Sequence, residues 1–153
     1  MTLTPAQTQF LKSFFESTKR EFQVLDAWYF CDNEFDANDC AQLVVKGEKR
    51  ASSSSLWWHE ASKEPLPKIG DLNLVTDWYA NPIAIIETTK IDIVPYHLIT
   101  AEYAKTEGEG DKSLAYWQKV HWAYYHRELA PFGMTPTKDM PIVCEQFRCI
   151  YAK

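Results

Sequence analysis

The segment Ile83–Val94 constrains the fold most, because it is a long run rich in isoleucine and threonine. Residues of this kind favour an extended strand, and Asn81-Pro82 in front of it predicts a turn. Further strands are predicted at Leu72–Val75 and Val143–Tyr151. The serine run Ser52–Ser55 is also interpreted as a strand, with a flexible linker as the alternative.

Helices are predicted between these strands, at irregular intervals. They lie at about 5–20 after the capping box Thr4–Gln7, at Asp36–Lys46 before Gly47, at Thr100–Ala104, and at about 112–129 with Asp111 as the N-cap. Because strands and helices do not alternate regularly, the pattern predicts an α+β fold with a mixed, curled sheet. The sequence shows no internal repeat.

Charge and composition limit the partners that the chain can bind. The 153 residues suit one domain, and 14% of them are aromatic, which suits either a core or the stacking of bases. The net charge of −5 argues against a long phosphate footprint, because neutralised phosphates supply the affinity for nucleic-acid backbones. We therefore expect a short, local contact and no duplex DNA.

The four cysteines contain no Cys-x-x-Cys pair. Cys144 and Cys149 would point to opposite faces of a strand, so we expect reduced thiols and no zinc site. The N-terminal sequence has no signal-peptide pattern, and no apolar run would span a bilayer. The expected location is cytoplasmic, without membrane contact.

Lys49 and Ser52 form the first candidate catalytic pair. A serine hydroxyl becomes a nucleophile when a base takes its proton, and a buried lysine can serve as that base. Residues three apart point to opposite faces of an ideal strand, so the two converge only if the chain bends after Gly47. A surface lysine and a hydrogen-bonded strand serine are the alternative.

Glu107 and Glu109 form a second candidate, in a loop with Gly108 and Gly110. Paired carboxylates can divide acid and base roles when their environments differ. A solvated acidic loop before a helix is the alternative.

The long helix places Trp117, His121, Tyr124 and Tyr125 along one stripe. A stripe of this kind is usually core, and a histidine in it is usually a half-buried ring. His126 lies around the helix from His121, so the two make a poor metal pair.

Several blocks of the sequence together resemble the longer branch of the ASCH family, which belongs to the PUA-like class. The blocks are Trp28–Asp32 (WYFCD), Leu43–Ser52 (LVVKGEKRAS), Pro65–Asp71 (PLPKIGD), Ile91–Tyr96 (IDIVPY), Ala104–Trp117 (AKTEGEGDKSLAYW) with His121, and Val143–Phe147 (VCEQF). The EGEGD block with the residues that follow it is the most specific. The resemblance covers about residues 25–151, so we expect an N-terminal helix at 1–24 packed on an ASCH domain at 25–153.

This resemblance implies a PUA-like β-barrel flanked by helices, with a cleft lined by a Gly-x-Lys-x-x-Thr/Ser turn. Some small ASCH proteins look like amidohydrolases of acetylated cytidine that use a lysine, a threonine and a glutamate. By motif these roles fall on Lys49, Ser52 and Glu107. Family members commonly have threonine where Ser52 stands, so the hydroxyl is kept, and glycine where Cys31 stands.

Two chemistries and one binding role remain open, because the longer branch also includes a protein described as a ribonuclease. In the amidohydrolase, Lys49 is the base for Ser52, and Glu107 carries a proton to the leaving amine. In the ribonuclease, Lys49 and Arg50 stay cationic while Glu107 or His121 moves protons. The third hypothesis is a non-catalytic regulatory module that binds RNA or a nucleotide.

The expected ligand is a nucleoside or a short single-stranded RNA, whose bases can stack on aromatic rings. The residues expected to contact it are Trp28, Asp32, Arg50, Ser54, Trp57, Glu109 and His121. No metal and no cofactor are expected.

Overall fold

The computed structural model of the protein describes residues 2–152. Met1 and Lys153, the outer bounds of the two predicted segments, lie outside this range. The elements are α1 (Pro5–Ser17), β1 (Ala27–Trp28), α2 (Glu34–Val45), β2 (Ala51–Ser55), α3 (Leu56–Ser62), β3 (Leu72–Thr76), β4 (Pro82–Pro95), α4 (Ala101–Glu107), α5 (Leu114–Leu129) and β5 (Pro141–Ala152). Within the described range, every helix is too short or too polar to cross a lipid bilayer.

The strands form one mixed sheet in the order β1-β3-β4-β5-β2. Strand β1 runs parallel to β3, whereas β3 is antiparallel to β4 and β2 is antiparallel to β5. The predicted α+β class with a mixed sheet and flanking helices is confirmed. The sheet has two edge strands, so the described strands are not closed into a barrel.

The chain divides into two compact units. The first comprises the described parts of Met1–Gly47, Gly70–Glu87 and Arg148–Lys153. Its core contains Phe10, Leu11, Phe14, Phe15, Leu25, Leu74 and Ile85. Helix α1 supplies the phenylalanines of this core, because its apolar residues recur at helical spacing. Its capping box of Thr4 and Gln7 is present as predicted.

The second unit comprises Glu48–Ile69 and Thr88–Phe147. Its core contains Tyr96, Ile99, Ala104, Trp117, Tyr125, Leu129, Met140, Ile142 and Cys144. Residues of β2 alternate between buried and half-buried positions, as the two-residue period of a strand requires. The serine run is therefore a strand, as predicted.

Two local predictions need correction. Helix α3, which is not among the predicted helices, begins directly after the serine strand and is capped by the Ser55 hydroxyl. The N-cap of α5 is Ser113 and not Asp111, since the Ser113 hydroxyl accepts from the Tyr116 N–H. Asp111 instead accepts a hydrogen bond from the Ser113 N–H at 2.9 Å.

Candidate active site around Glu107

Glu107 ends helix α4, and only 2% of the residue is exposed. Its Oε1 accepts hydrogen bonds from the Ser53 hydroxyl at 2.5 Å and from the Trp117 indole N–H at 2.7 Å. Its Oε2 lies 3.0 Å from His121 Nε2 and 3.4 Å from Lys49 Nζ. An ionised carboxylate accepts hydrogen bonds without donating any, so these donors suit the charged form of Glu107.

His121 lies on α5 with both ring nitrogens facing acceptors. Nδ1 is 2.8 Å from the Trp117 carbonyl oxygen, and Nε2 faces the Glu107 carboxylate. A neutral imidazole has one N–H, so only the protonated ring can donate to both. Burial lowers the pKa of His121, but the charge of Glu107 and its hydrogen bond raise the pKa above its ordinary value. The protonated ring thus suits both acceptors, and the pKa shifts in the direction that favours this form.

The cations near Glu107 keep its buried carboxyl group ionised. Burial raises the pKa of the Glu107 carboxyl, but the charges of His121 and Lys49, together with side-chain hydrogen bonds from His121 and Glu109, lower it by more. The net result is a pKa well below the ordinary value. Without such partners a buried carboxyl would take up a proton.

Lys49 supplies a second buried cation. Its Nζ donates to the Ala51 carbonyl oxygen at 2.7 Å, and lies 3.0 Å from Glu109 Oε2 and 3.4 Å from Glu107 Oε2. Its side chain is 1% exposed, whereas that of Glu109 is 13% exposed. With His121 protonated, the two carboxylates and the two cations sum to zero charge, which limits the cost of burying them.

Gly108 explains why the acidic loop can lie beside Lys49. The residue caps α4 with a φ of +77°, in the left-handed region that glycine tolerates. A Cβ at this position would lie 2.0 Å from the Glu48 carbonyl oxygen. The Arg50 N–H also donates to the Thr106 carbonyl at 2.9 Å. Because Gly108 has no side chain, the backbone of the acidic loop can approach the backbone at Glu48. This approach brings Lys49 beside the two glutamates.

The hydroxyl that contacts Glu107 belongs to Ser53 and not to Ser52. Successive residues of a strand face opposite sides, and Ser53 is buried while Ser52 is half-buried. The structure thus brings together Lys49 and Glu107 as predicted, and adds Ser53 to them. The role predicted for Ser52 stays a prediction.

Tyr103 extends the network from Ser53. Its hydroxyl lies 2.9 Å from Ser53 Oγ and 3.0 Å from the Ser52 carbonyl oxygen. Because Ser53 uses its proton toward Glu107, Tyr103 must be the donor if it bonds to Ser53. Burial and the nearby charge of Glu107 raise the pKa of Tyr103 well above its ordinary value, so the phenol keeps its proton.

A cavity of about 400 Å³ adjoins Tyr103 within the second unit. Lys90 and Asp92 from β4 and Gln146 from β5 also line it. Its volume lies in the range of small-molecule sites. Hydrogen bonds through Tyr103 and Ser53 thus connect the wall of this cavity to the Glu107 carboxylate.

Other predicted contact residues of the second unit have varied surroundings. Arg50 is exposed and Trp57 is half-buried beside the apolar core. Ser54 bonds to His59 Nε2 at 2.8 Å through its hydroxyl. None of these contacts tests ligand binding, so the three remain predicted ligand contacts.

Trp28 and Asp32 belong to the first unit. The Trp28 indole N–H donates to Asn73 Oδ1 at 3.0 Å, and its ring meets Phe30 edge to face. Asp32 is exposed. Their predicted contact with a base also stays a prediction.

Glu107, Glu109 and His121 could in principle hold a metal ion, since one ligand atom from each lies within 4.8 Å of the others. The Lys49 ammonium already contacts both carboxylates. A cation bound there would have to displace it. The prediction that the site needs no metal remains untested.

Comparison with known proteins gives a consistent result. Residues 26–151 match the ASCH domain family. A crystal structure of an ASCH domain from Lactobacillus crispatus JV V101 is 38% identical and superposes with a TM-score of 0.93, covering 99% of this chain and 98% of that one. No curated protein sequence matches the chain.

Two further structures are similar. A protein of Enterococcus faecalis V583, assigned to the family DUF984, is 34% identical with a TM-score of 0.86, covering 93% of this chain and 86% of its own. A hypothetical protein at 17% identity and a TM-score of 0.51, covering 73% of this chain and 92% of its own, shows the fold alone.

Proposed function

The chain belongs to the ASCH domain family, and from that premise we propose that it is a hydrolase of an acylated, acetylcytidine-like nucleoside. ASCH domains have a PUA-like fold that is associated with RNA binding. The observation that carries the proposal is the buried contact of Lys49 with Glu107 and Glu109. It joins the lysine and glutamate to which the family resemblance assigns catalysis.

We propose the following proton transfers. In the reactive form Lys49 has lost one proton to solvent, and its neutral amine takes the proton of the Ser52 hydroxyl. The Ser52 oxygen attacks the acyl carbon, and the carbon–nitrogen bond breaks. Glu107 relays the proton that Lys49 has gained to the leaving amine, and water then releases the acyl group from Ser52 as the free acid.

Ser53 has a supporting role in this proposal. Its hydroxyl donates to Glu107 and is buried, so it holds the carboxylate in place. Ser52 is the adjacent hydroxyl on the half-buried face of β2 and is the one proposed to react.

A nucleoside is favoured over a long RNA because of charge. The chain carries a net charge of −5, and Lys49 and His121 already neutralise two carboxylates. A small neutral ligand requires no basic groove, whereas a polyphosphate backbone does.

The test uses N4-acetylcytidine and measures the release of cytidine. Lys49→Arg keeps the positive charge but cannot act as a base, since arginine stays protonated. We expect the rate to fall on the order of 100-fold or more, and Ser52→Ala to have the same effect. Lys105→Arg, on the exposed face of α4, is the matched control and should keep the rate. Full activity in folded Lys49→Arg and Ser52→Ala proteins would overturn the proposal.

Ribonuclease activity is the second candidate, because a protonated His121 and Lys49 would offer two cations beside one proton acceptor, the Glu107 carboxylate. Two such cations could stabilise a phosphorane, with the ribose 2′-OH as the nucleophile. In that case single-stranded RNA is cleaved to cyclic-phosphate ends, and its 2′-O-methyl analogue is not. Lys49→Arg and Ser52→Ala should then weaken cleavage without abolishing it, which separates the two chemistries.

A further inference from the structure

The first unit contains a pair of thiols that the proposed hydrolysis does not use. The Sγ atoms of Cys31 and Cys40 lie 3.8 Å apart. Cys31 stands in the loop before α2 and is half-buried, and Cys40 is on the buried face of that helix, 2% exposed. The two sulfurs would have to approach to about 2.05 Å to form a disulfide bond.

The backbone at Cys31 holds its thiol in this position. Its φ is +66°, in the left-handed region where a residue with a Cβ is strained. Such strain persists where surrounding structure fixes it, and it is found at sites of function. Asn33 then caps α2 by accepting from the Asp36 N–H at 2.9 Å, which fixes the start of the helix that carries Cys40.

We propose that Cys31 and Cys40 form a redox-active dithiol, which peroxides of low molecular mass convert reversibly into an intramolecular disulfide. Cys31 is the more exposed thiol and reacts first. Its sulfur attacks hydrogen peroxide, the O–O bond breaks, and sulfenic acid and one water molecule form. The Cys40 sulfur then displaces the hydroxyl group, forming the S–S bond and a second water. The two sulfurs lose two electrons in total, and the peroxide gains them.

The remaining cysteines provide internal controls. Burial raises the pKa of the Cys144 thiol to about 12, which keeps it protonated and unreactive. Cys149 has a pKa raised by burial as well, and its thiol donates to the Tyr151 carbonyl at 3.5 Å.

The experiment treats the full-length reduced protein with hydrogen peroxide under native conditions. We expect a mass loss of about 2 Da, two cysteines fewer available to N-ethylmaleimide after denaturation, and a cross-linked peptide pair containing Cys31 and Cys40. Dithiothreitol should reverse all three changes. Cys144→Ser and Cys149→Ser proteins should form the same disulfide, and Cys40→Ser should not.

Several results would overturn the proposal. These are four alkylatable cysteines after treatment, a disulfide joining Cys144 to Cys149, or sulfinic acid accumulating on Cys31 while Cys40 is intact. Mapping is done on the wild-type chain, so no variant has to fold for the decisive measurement.

Discussion

The two compact units bury different chemistry. The first encloses an apolar core that includes Phe10, Phe14 and Leu74. The second encloses Lys49, Glu107 and His121 beside its apolar core, and the buried lysine, glutamate and histidine residues of the described chain all lie in it. Burying charges is costly even when they are paired. The two units therefore differ in what their interiors must balance: the first buries mainly apolar side chains, whereas the second also buries charges that compensate one another.

The largest expected effect comes from removing the central charge. Glu107→Gln keeps the shape of the side chain but leaves Lys49 and His121 without their shared counter-ion. We expect a loss of about 3–5 kcal/mol in the free energy of unfolding, measured by urea denaturation. Hydrolase activity should disappear as well.

Phe14→Ala in the first unit is the comparison variant. Cavity formation should cost about 3–5 kcal/mol, and the loss should be similar from pH 5 to pH 8. The loss in Glu107→Gln should instead vary with pH. If Glu107→Gln costs less than about 1 kcal/mol, the buried network does not stabilise the unit.

Much of helix α1 in the first unit could be predicted from the sequence, because the spacing of apolar residues directly indicates which helix face is buried. The spacing of Phe10, Leu11, Phe14 and Phe15 predicts the buried face of α1, and the capping box predicts its start. The charged network of the second unit is harder to predict from the sequence. Lys49 and Glu107 could be paired only through a family motif, since they are far apart in the chain and no local pattern joins them.

The serine strand is a place where local sequence cannot identify the functional side chain. The four consecutive serines cannot be distinguished by residue type. Only the alternation of side chains along β2 decides that Ser53 faces Glu107. Once Ala51 is recognised as buried, the period of two identifies Ser53 as its neighbour on that face. The helical stripe predicts Trp117 as a core residue, and Trp117 is buried in the core, but its indole N–H also donates to Glu107. A helical stripe cannot report that second role.

The next largest effect concerns Gly108, where the acidic loop approaches the backbone at Glu48. Gly108→Ala adds strain at positive φ and a clash with the Glu48 carbonyl, so we expect a loss of about 2–4 kcal/mol. Gly133 also has a positive φ, of +69°, but a Cβ there meets nothing within 4 Å. Gly133→Ala is thus the matched control, and it should lower the free energy of unfolding by about 1 kcal/mol. Equal losses in the two variants would show that the contact at residue 108 is unimportant.

A pH effect should distinguish His121 from His126 on the same helix. The raised pKa of His121 means that its stabilisation is complete below the ordinary histidine value of about 6.5 and is lost as pH rises through the folded pKa. The lowered pKa of Glu107 means that its contribution is present above about pH 4.3 and is lost on further acidification. Maximum stability should therefore fall between these two limits.

His121→Gln should flatten the decline on the alkaline side of that maximum, and the gap between variant and wild type should narrow above about pH 7. His126→Gln, at an exposed position of the same helix, is the matched control. Thermal unfolding followed across pH 5–9 measures both. A gap that widens with pH would mean that His121 is neutral in the folded chain.

The smallest effect tests whether the polar network extends to the cavity. Tyr103→Phe removes one hydroxyl that Ser53 and the Ser52 carbonyl contact, while the ring keeps its packing. We expect a loss of about 0.5–1.5 kcal/mol. Tyr79 is an exposed ring of the first unit, so Tyr79→Phe should lower the free energy of unfolding by less than Tyr103→Phe does. The change removes the donor to the Ser52 carbonyl and the hydroxyl that lies beside Ser53 at the wall of the cavity. Cytidine binding followed by NMR should therefore change in Tyr103→Phe and not in Tyr79→Phe, and unchanged binding in both would mean that the cavity is not the ligand site.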